Sequence, residues 1–203
     1  MEENVEVLIH SSIRITGEKT IYIDPFKISQ AWNDADYIFV THDHYDHYSE
    51  ADIDKVKNEN TIYIVPESLT NKLLAKGIAS KKVISVKPNC NYTVGTISFE
   101  TVPAYNINKP FHPKENGWVG YVIDVNNLRY YIAGDTDITE ENKKVKCDVA
   151  LVPVGGTYTM NAKEAAELVN TIKPKVAIPI HYGDIVGTKK DAQDFLNLID
   201  LNK

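Results

Sequence analysis

The stretch Thr41-His42-Asp43-His44-Tyr45-Asp46-His47 determines how the rest of this sequence is interpreted. Three imidazoles and a spaced carboxylate fall within six residues, which is more nitrogen and oxygen ligands than a solvated loop needs. Such a concentration is typical of a metal site. The apolar run Tyr37-Ile38-Phe39-Val40 comes directly before it, so we predict that the ligands lie where a buried strand ends.

The spacing inside this stretch divides the possible ligands into two pairs. Residues two apart on an extended segment point the same way, so His42 and His44 can bind one ion together. Asp46 and His47 lie past the turn and are free to face a second ion.

Composition limits the functions that the chain can have. It has 203 residues, 43% of them hydrophobic and 25% charged, as is ordinary for a globular enzyme or binding domain. We expect a single domain over residues 1–203. The formal charge of -6 argues against nucleic acid and anionic membranes as partners, so we expect a small-molecule substrate, anionic ones included.

The cysteines and the apolar runs bear on the cellular location. Cys90 and Cys147 show no CxxC spacing, so the sequence predicts neither a disulfide framework nor a cysteine zinc site. No apolar run approaches the roughly 20 residues that span a bilayer. The start Met1-Glu2-Glu3-Asn4 lacks the basic residues of a signal peptide. We expect a cytoplasmic protein.

Strand-like and helix-like patterns alternate along the chain. Glu50 to Asn58 is compatible with a helix, and further helices are predicted after Pro66, Asn161 and Thr188, the second of them begun by a capping pair of Asn161 with Glu164. A hairpin is predicted across Asn126-Asn127, a dipeptide that tolerates the left-handed turn conformation. The predicted strands are 5–10, 13–15, 20–23, 37–40, 61–65, 83–86, 92–94, 97–102, 118–125, 128–133, 149–154 and 176–180. The residues expected to face the core from the helices include Leu69, Leu73, Leu74, Ala165, Leu168, Val169, Ile172, Ala192, Phe195, Leu196 and Ile199.

Acids and histidines recur at the ends of the predicted strands. Asp24 follows the third strand and can either cap the turn or accept a hydrogen bond from a ligand imidazole. Asp135 follows a later strand within Gly-Asp-Thr-Asp, and His181 lies at the tip of the last one. The long loop from Pro103 to Gly117 contains His112, and loops of this length are commonly functional.

The motif His-x-His-x-Asp-His, formed by residues 42–47, resembles the metallo-β-lactamase superfamily. Within it the chain looks most like a small branch of metal-dependent hydrolases without a lid, related to ascorbate-6-phosphate lactonase and to the phospholipase D that hydrolyses N-acyl-phosphatidylethanolamine. The narrower likeness is carried by Ile9-His10-Ser11-Ser12, Ile23-Asp24-Pro25, the loop 110–118 and residues 154–160. The resemblance implies an α/β (α+β) fold, the four-layer αββα sandwich.

The resemblance also implies a ligand set for two metals. His42 and His44 hold the first ion, Asp46 and His181 hold the second, His47 joins the second, and Asp135 bridges the two. The chain departs from the family at Tyr105-Asn106, where the family commonly has the third histidine of the first ion. His112 is the remaining histidine that can complete the coordination of the first ion. Asn106 or water are the alternatives, and with Lys109 and Lys114 His112 can instead form a substrate anion clamp.

Such a site suits a hydrolase that uses a metal-bound hydroxide on a small ester, lactone or phosphodiester. Asp46 or Asp135 can orient the hydroxide and return a proton to the leaving group. Zinc is the expected metal, with manganese, iron and nickel as alternatives. His10 is expected behind the ligands or facing the substrate, and Thr157 or Tyr158 on the substrate.

Three other functions remain open. The first is a nuclease or cyclic-phosphate phosphodiesterase, which the acidic net charge disfavours for long nucleic acids. The second is a non-catalytic metal-binding protein on the same scaffold, which the complete ligand set disfavours. The third is flavodiiron-type oxygen chemistry, which typically puts an acid where His44 stands.

Overall fold

The computed structural model describes residues 4–201, so Met1 to Glu3, part of the start considered for a signal peptide, lie outside the described residues. The chain divides between Val86 and Lys87 into two compact units. Each unit contains its own six-stranded sheet. Among residues 4–201, no helix is long and apolar enough to cross a membrane.

The sheet of the first unit follows chain order. Its first three strands are antiparallel, and the third to the sixth are parallel to one another. The strands are β1 Val5–Ile9, β2 Ser12–Ile15, β3 Ile21–Ile23, β4 Ala35–Phe39, β5 Lys57–Pro66 and β6 Val83–Val86, and the helices are α1 Glu50–Val56 and α2 Glu67–Ala75.

This strand order brings three chain segments to one edge of the sheet. Strands β3 and β4 are parallel with Ile23 opposite Phe39, so Asp24 and the stretch after β4 leave the sheet side by side. Because β1 and β2 form an antiparallel pair and β2 is antiparallel to β3, the turn at His10 lies at the same edge. The first histidines and Asp24 are therefore neighbours through topology alone.

The second unit has the sheet order β12-β11-β10-β9-β8-β7. Strands β7 to β10 are antiparallel, and β10, β11 and β12 are parallel. The elements are β7 Asn91–Val94, β8 Ile97–Pro103, β9 Val119–Val125, β10 Leu128–Ile132, β11 Val149–Pro153, α3 Ala162–Ile172, β12 Val176–Ile180 and α4 Lys189–Leu198.

The same logic applies to the second sheet. The carboxyl ends of β10, β11 and β12 meet at one edge, and β8 also ends there because it is antiparallel to β9, which is antiparallel to β10. Asp135, Gly155 and His181 follow three of these ends, and the loop that contains His112 follows β8. Residues far apart in sequence thus become neighbours.

The sequence predicted the elements well and erred in a few details. Strand β5 begins at Lys57, so the helix predicted through Asn58 ends too late; the chain turns extended at Lys57, and Asn58 donates to the carbonyl of Ala35. Leu74 and Leu196, predicted to face the core, are 38% and 45% exposed. Each lies one residue beyond a fully buried neighbour, so the apolar stripe is narrower than the pattern suggests.

The predicted capping pair at the start of α3 is confirmed. The Asn161 side chain accepts from the backbone N–H of Glu164 at 3.0 Å, and the Glu164 carboxylate accepts from the backbone N–H of Asn161 at 2.8 Å. Two N–H groups that the helix cannot pair internally are satisfied in this way. Ala165, Leu168 and Val169 then form the buried face.

We expect Asn161→Ala to lower the free energy of unfolding by about 1 kcal/mol, because one helix N–H loses its acceptor. Urea denaturation followed by circular dichroism measures the change. Asn161→Asp keeps an acceptor oxygen and should retain most of the stability. Equal losses in both variants would contradict the capping role.

Candidate metal centre

The histidines of the first unit converge after β4. The backbone N–H groups of His47 and Tyr48 donate to the carbonyl of His44, which makes a tight turn out of the stretch after the strand. His42 and His47 are buried, and their ring centroids lie 4.0 Å apart. His42 Nε2 lies 3.1 Å from His44 Nδ1. Two nitrogens bound tetrahedrally to one ion at about 2.05 Å would lie about 3.3 Å apart, so this pair has the spacing of a shared metal.

The carboxylate of Asp24 binds both ends of the stretch 41–47 through hydrogen bonds. It is 1% exposed and accepts from the backbone N–H and the hydroxyl of Thr41 at 2.8 and 2.7 Å and from His47 Nδ1 at 2.7 Å. Burial raises the pKa of the Asp24 carboxyl, and the His47 imidazole and the Thr41 donors oppose that rise. Of the two roles weighed for Asp24, the structure therefore shows the hydrogen bond to an imidazole, that of the predicted ligand His47.

These hydrogen bonds determine where the protons of two histidines lie. Because the Thr41 hydroxyl donates to Asp24, it can only accept from His42 Nδ1, which lies 2.9 Å away. His47 Nδ1 likewise donates to the carboxylate. Both rings thus carry the lone pair on Nε2, as metal ligands require. Sequence reasoning missed Thr41, whose place directly before His42 was its one signal.

His10 belongs to the same group of side chains. Its Nε2 lies 3.3 Å from Asp46 Oδ2, and His47 Nε2 lies 3.5 Å from the same oxygen. The possible ligand atoms of these three residues all lie within 4.8 Å of one another. His10 occupies the left-handed region at φ +54°, which few residues other than glycine adopt.

The second unit places one carboxylate between two imidazoles. Asp135 Oδ2 lies 3.3 Å from His112 Nε2 and 3.0 Å from His181 Nε2, and all three side chains are buried. His181, like His10, has a left-handed backbone, at φ +58°. A carboxylate flanked by two imidazole nitrogens in this way is suited to link two ions.

Asn106 fixes the position of His112. Its Oδ1 accepts from the backbone N–H of His112 at 3.0 Å, and its Nδ2 donates to the carbonyl of Tyr158 at 2.9 Å, so the amide orientation follows from backbone groups. The same Oδ1 lies 3.1 Å from His112 Nδ1, which must therefore be protonated. Nε2 keeps the lone pair and faces Asp135. Asn106 thus supports His112 in the place where it was considered as a replacement ligand.

The remaining predicted residues have less direct roles. Lys109 pairs with Asp137, and Lys114 pairs with Glu141 at 2.8 Å. The Lys114 contact lowers the pKa of Glu141 to about 2. A substrate anion clamp made of these lysines would have to break two ion pairs. Thr157 is exposed.

Gly155 allows the chain to pass against His181. A Cβ on Gly155 would lie 2.4 Å from the carbonyl oxygen of His181 and 3.4 Å from its Nδ1. A side chain at this position would also meet Val186 at 2.9 Å, so only glycine lets the chain pass this close to the last histidine of the second unit.

Comparison with known proteins agrees with this description. The protein family described as "Beta-lactamase superfamily domain" matches residues 4–181. The chain is 33% identical to a UPF0173 metal-dependent hydrolase of Staphylothermus marinus, over 97% of this chain and 90% of the relative. The chain belongs to the metallo-β-lactamase superfamily. Within it, the UPF0173 metal-dependent hydrolases are its family.

Solved structures confirm the metallo-β-lactamase fold, the αββα sandwich expected from the sequence. A protein of Parabacteroides distasonis named as a metal-dependent hydrolase is 30% identical with a TM-score of 0.80, covering 97% of this chain and 90% of that one. A metallo-β-lactamase superfamily protein of Thermotoga maritima gives a TM-score of 0.63 at 24% identity, covering 97% of this chain and 86% of that one. The second likeness concerns the fold alone.

The donor set of this metallo-β-lactamase chain fits divalent metal ions. Imidazole nitrogens with defined lone pairs and buried carboxylates are ligands for zinc, iron, manganese and nickel alike. In the first unit they are His42, His44, Asp46 and His47, and in the second His112, Asp135 and His181. Three of the imidazoles donate hydrogen bonds that orient them as in established metal sites: His47 to Asp24, His42 to Thr41 and His112 to Asn106.

We expect Asp24→Asn to weaken metal binding by about 10- to 100-fold, because an amide cannot accept from Thr41 and His47 as a carboxylate does. Titration against a chromogenic chelator measures the affinity. Asp52→Asn is the matched control, since Asp52 is also buried in the first unit, at 6% exposure, but bonds to Lys27, Ile28, Ser49 and Lys55. It should lose stability and keep metal affinity. Equal metal loss in both variants would contradict the assigned role of Asp24.

Gly155→Ala should also weaken metal binding, because the added methyl group displaces His181 by contact with its backbone. Gly77→Ala is the control, since it strains a left-handed backbone at φ +80° where a Cβ meets nothing within 4 Å. Metal content at matched stability, measured by mass spectrometry, separates the two. Full metal content in Gly155→Ala would show that His181 tolerates the methyl group.

Proposed function

We propose that this chain is a hydrolase with two metal ions, which acts on a small carboxylic ester, lactone or phosphodiester. The observation that carries the proposal is Asp135 Oδ2 between the Nε2 atoms of His112 and His181. The orientation of His42 and His47 by Asp24 and Thr41 supports it, as does membership in a family named for metal-dependent hydrolysis.

The proposed ligand assignment follows the family pattern. His42, His44 and His112 would hold the first ion, Asp46, His47 and His181 would hold the second, and Asp135 would contribute to both. Zinc is the proposed metal. When bound, the two ions would lower the pKa of a water molecule towards neutrality and polarise the oxygen of the scissile bond.

The protein's own groups handle the protons. Asp46 Oδ2 contacts His10 Nε2 at 3.3 Å, so the carboxylate can take a proton from the attacking water while His10 keeps it oriented. Asp46 or Asp135 can then return that proton to the leaving group. No serine or cysteine nucleophile is required for this hydrolysis. The proposed enzyme acts on small molecules in the cytoplasm and needs neither nucleic acid nor a membrane.

We expect His44→Ala and Asp135→Asn to lose metal and hydrolytic activity together. Loss of the metal's charge stabilisation, several kcal/mol, corresponds to a fall in kcat/KM of about a thousandfold or more. Metal content is measured by mass spectrometry, and turnover on a panel of esters, lactones and phosphodiesters.

Asp43→Asn is the matched control for both variants. Asp43 lies between His42 and His44 in the same stretch, but its carboxylate pairs with Lys72 at 3.2 Å. This variant should keep its metal and its activity. Wild-type activity in His44→Ala or Asp135→Asn would refute the assignment, and a metal-loaded wild type inactive on the whole panel would refute hydrolysis.

A further inference from the structure

The loop that carries His112 also carries exposed apolar side chains. Ile107 is 55% exposed and Phe111 is 40% exposed, whereas His112 is almost completely buried. The Phe111 ring packs edge to face on Tyr158, with centroids 4.7 Å apart and an interplanar angle of 85°. Phe111 and Tyr158 together form a surface that is called the aromatic rim below.

One side chain, that of Asn106, forms hydrogen bonds both to the aromatic rim and to His112. Asn106 Nδ2 donates to the carbonyl of Tyr158, and Asn106 Oδ1 accepts from the backbone and the ring of His112. Phe111 directly precedes His112, so their Cα atoms are about 3.8 Å apart. A group bound on the Phe111 ring would therefore lie near the chain segment that carries His112.

The charges around the rim are already neutralised. Lys109 pairs with Asp137 and donates to the carbonyl of Thr159 at 2.9 Å. Lys114 pairs with Glu141 and contacts the hydroxyl of Tyr105. An anionic substrate would have to break these ion pairs to recruit a lysine, whereas an apolar group gains from covering the rim.

We propose that the substrate is an uncharged carboxylic ester or lactone with an apolar group that packs on the aromatic rim, and that Phe111 determines this selectivity. The inference rests on the proposed hydrolase function and restricts the proposed substrates to carboxylic esters and lactones, which excludes phosphodiesters. In the reaction, water oxygen bonds to the carbonyl carbon and the carbon–oxygen bond to the alcohol breaks. One proton passes to the leaving alkoxide, and the products are a carboxylic acid and an alcohol.

Binding of simple carboxylates tests the rim without turnover. Acetate, butyrate, hexanoate and octanoate are titrated calorimetrically into the metal-loaded wild type. Burial of a methylene group is worth up to about fourfold in affinity, so we expect a two- to fourfold gain per methylene. Phe111→Ser should abolish most of this gain, and Phe111→Tyr, which keeps the ring, should retain it.

Leu196→Ser is the matched control, because Leu196 is a 45% exposed apolar side chain of the same unit on α4. It should leave the chain-length dependence unchanged. Thermal denaturation and metal content establish that each variant is folded and loaded. Affinities independent of chain length in the wild type, or an equal loss in Leu196→Ser, would overturn the proposal.

Turnover of matched p-nitrophenyl substrates separates the inference from the proposed function. We expect kcat/KM to rise from the acetate to the hexanoate ester, and to be lowest for methyl p-nitrophenyl phosphate. Hydrolysis of all three with the phosphate preferred would leave the hydrolase standing and overturn the inference. Carboxylate binding that strengthens with chain length, without turnover of any ester, would refute the hydrolase and support the rim as an apolar binding surface.

Discussion

The buried carboxylate of Asp24 is the constraint on which the first half of the candidate site depends. A carboxylate that is 1% exposed is costly unless donors surround it, and here two come from Thr41 and one from His47. The same bonds leave His42 and His47 with Nε2 lone pairs. The buried carboxylate that folding has to stabilise thus also orients two imidazoles so that they can bind metal.

Sheet topology explains why such groups meet at all. In each unit, parallel strands end at one edge, and the ends of β3, β4, β10, β11 and β12 are followed within three residues by a histidine, an acid or a glycine that allows close approach. Several of these residues have left-handed backbones, including His10, Asp24 and His181. This backbone conformation turns each of these side chains away from the direction of its strand.

The loop 103–117 carries both the predicted ligand His112 and part of the aromatic rim. Asn106 holds His112 through its backbone and its ring. The same amide donates to the carbonyl of Tyr158, so the predicted ligand and the aromatic rim are positioned together. Asn106 thus couples His112 to the surface from which we infer the substrate class.

The sequence by itself determined the strand and helix pattern, the family, and the candidate ligands, because these depend on local periodicity and on residue types concentrated at strand ends. The capping pair at Asn161 and the left-handed turn at Asn126-Asn127 are local as well, and both are present. The exposure of Leu74 and Leu196 could not be predicted, because a helix pattern does not show how wide its packing partner is.

Only the tertiary structure decided what Asp24, Thr41 and Asn106 do. Each acts through hydrogen bonds to residues brought near by strand pairing or loop closure, and a carboxylate or amide alone in a sequence gives no sign of its partner. The choice of Asn106 as support for His112 depended on the orientation of one amide, which backbone groups of residues 112 and 158 determine. Sequence thus identifies which atoms can bind metal, and the fold determines where their protons lie.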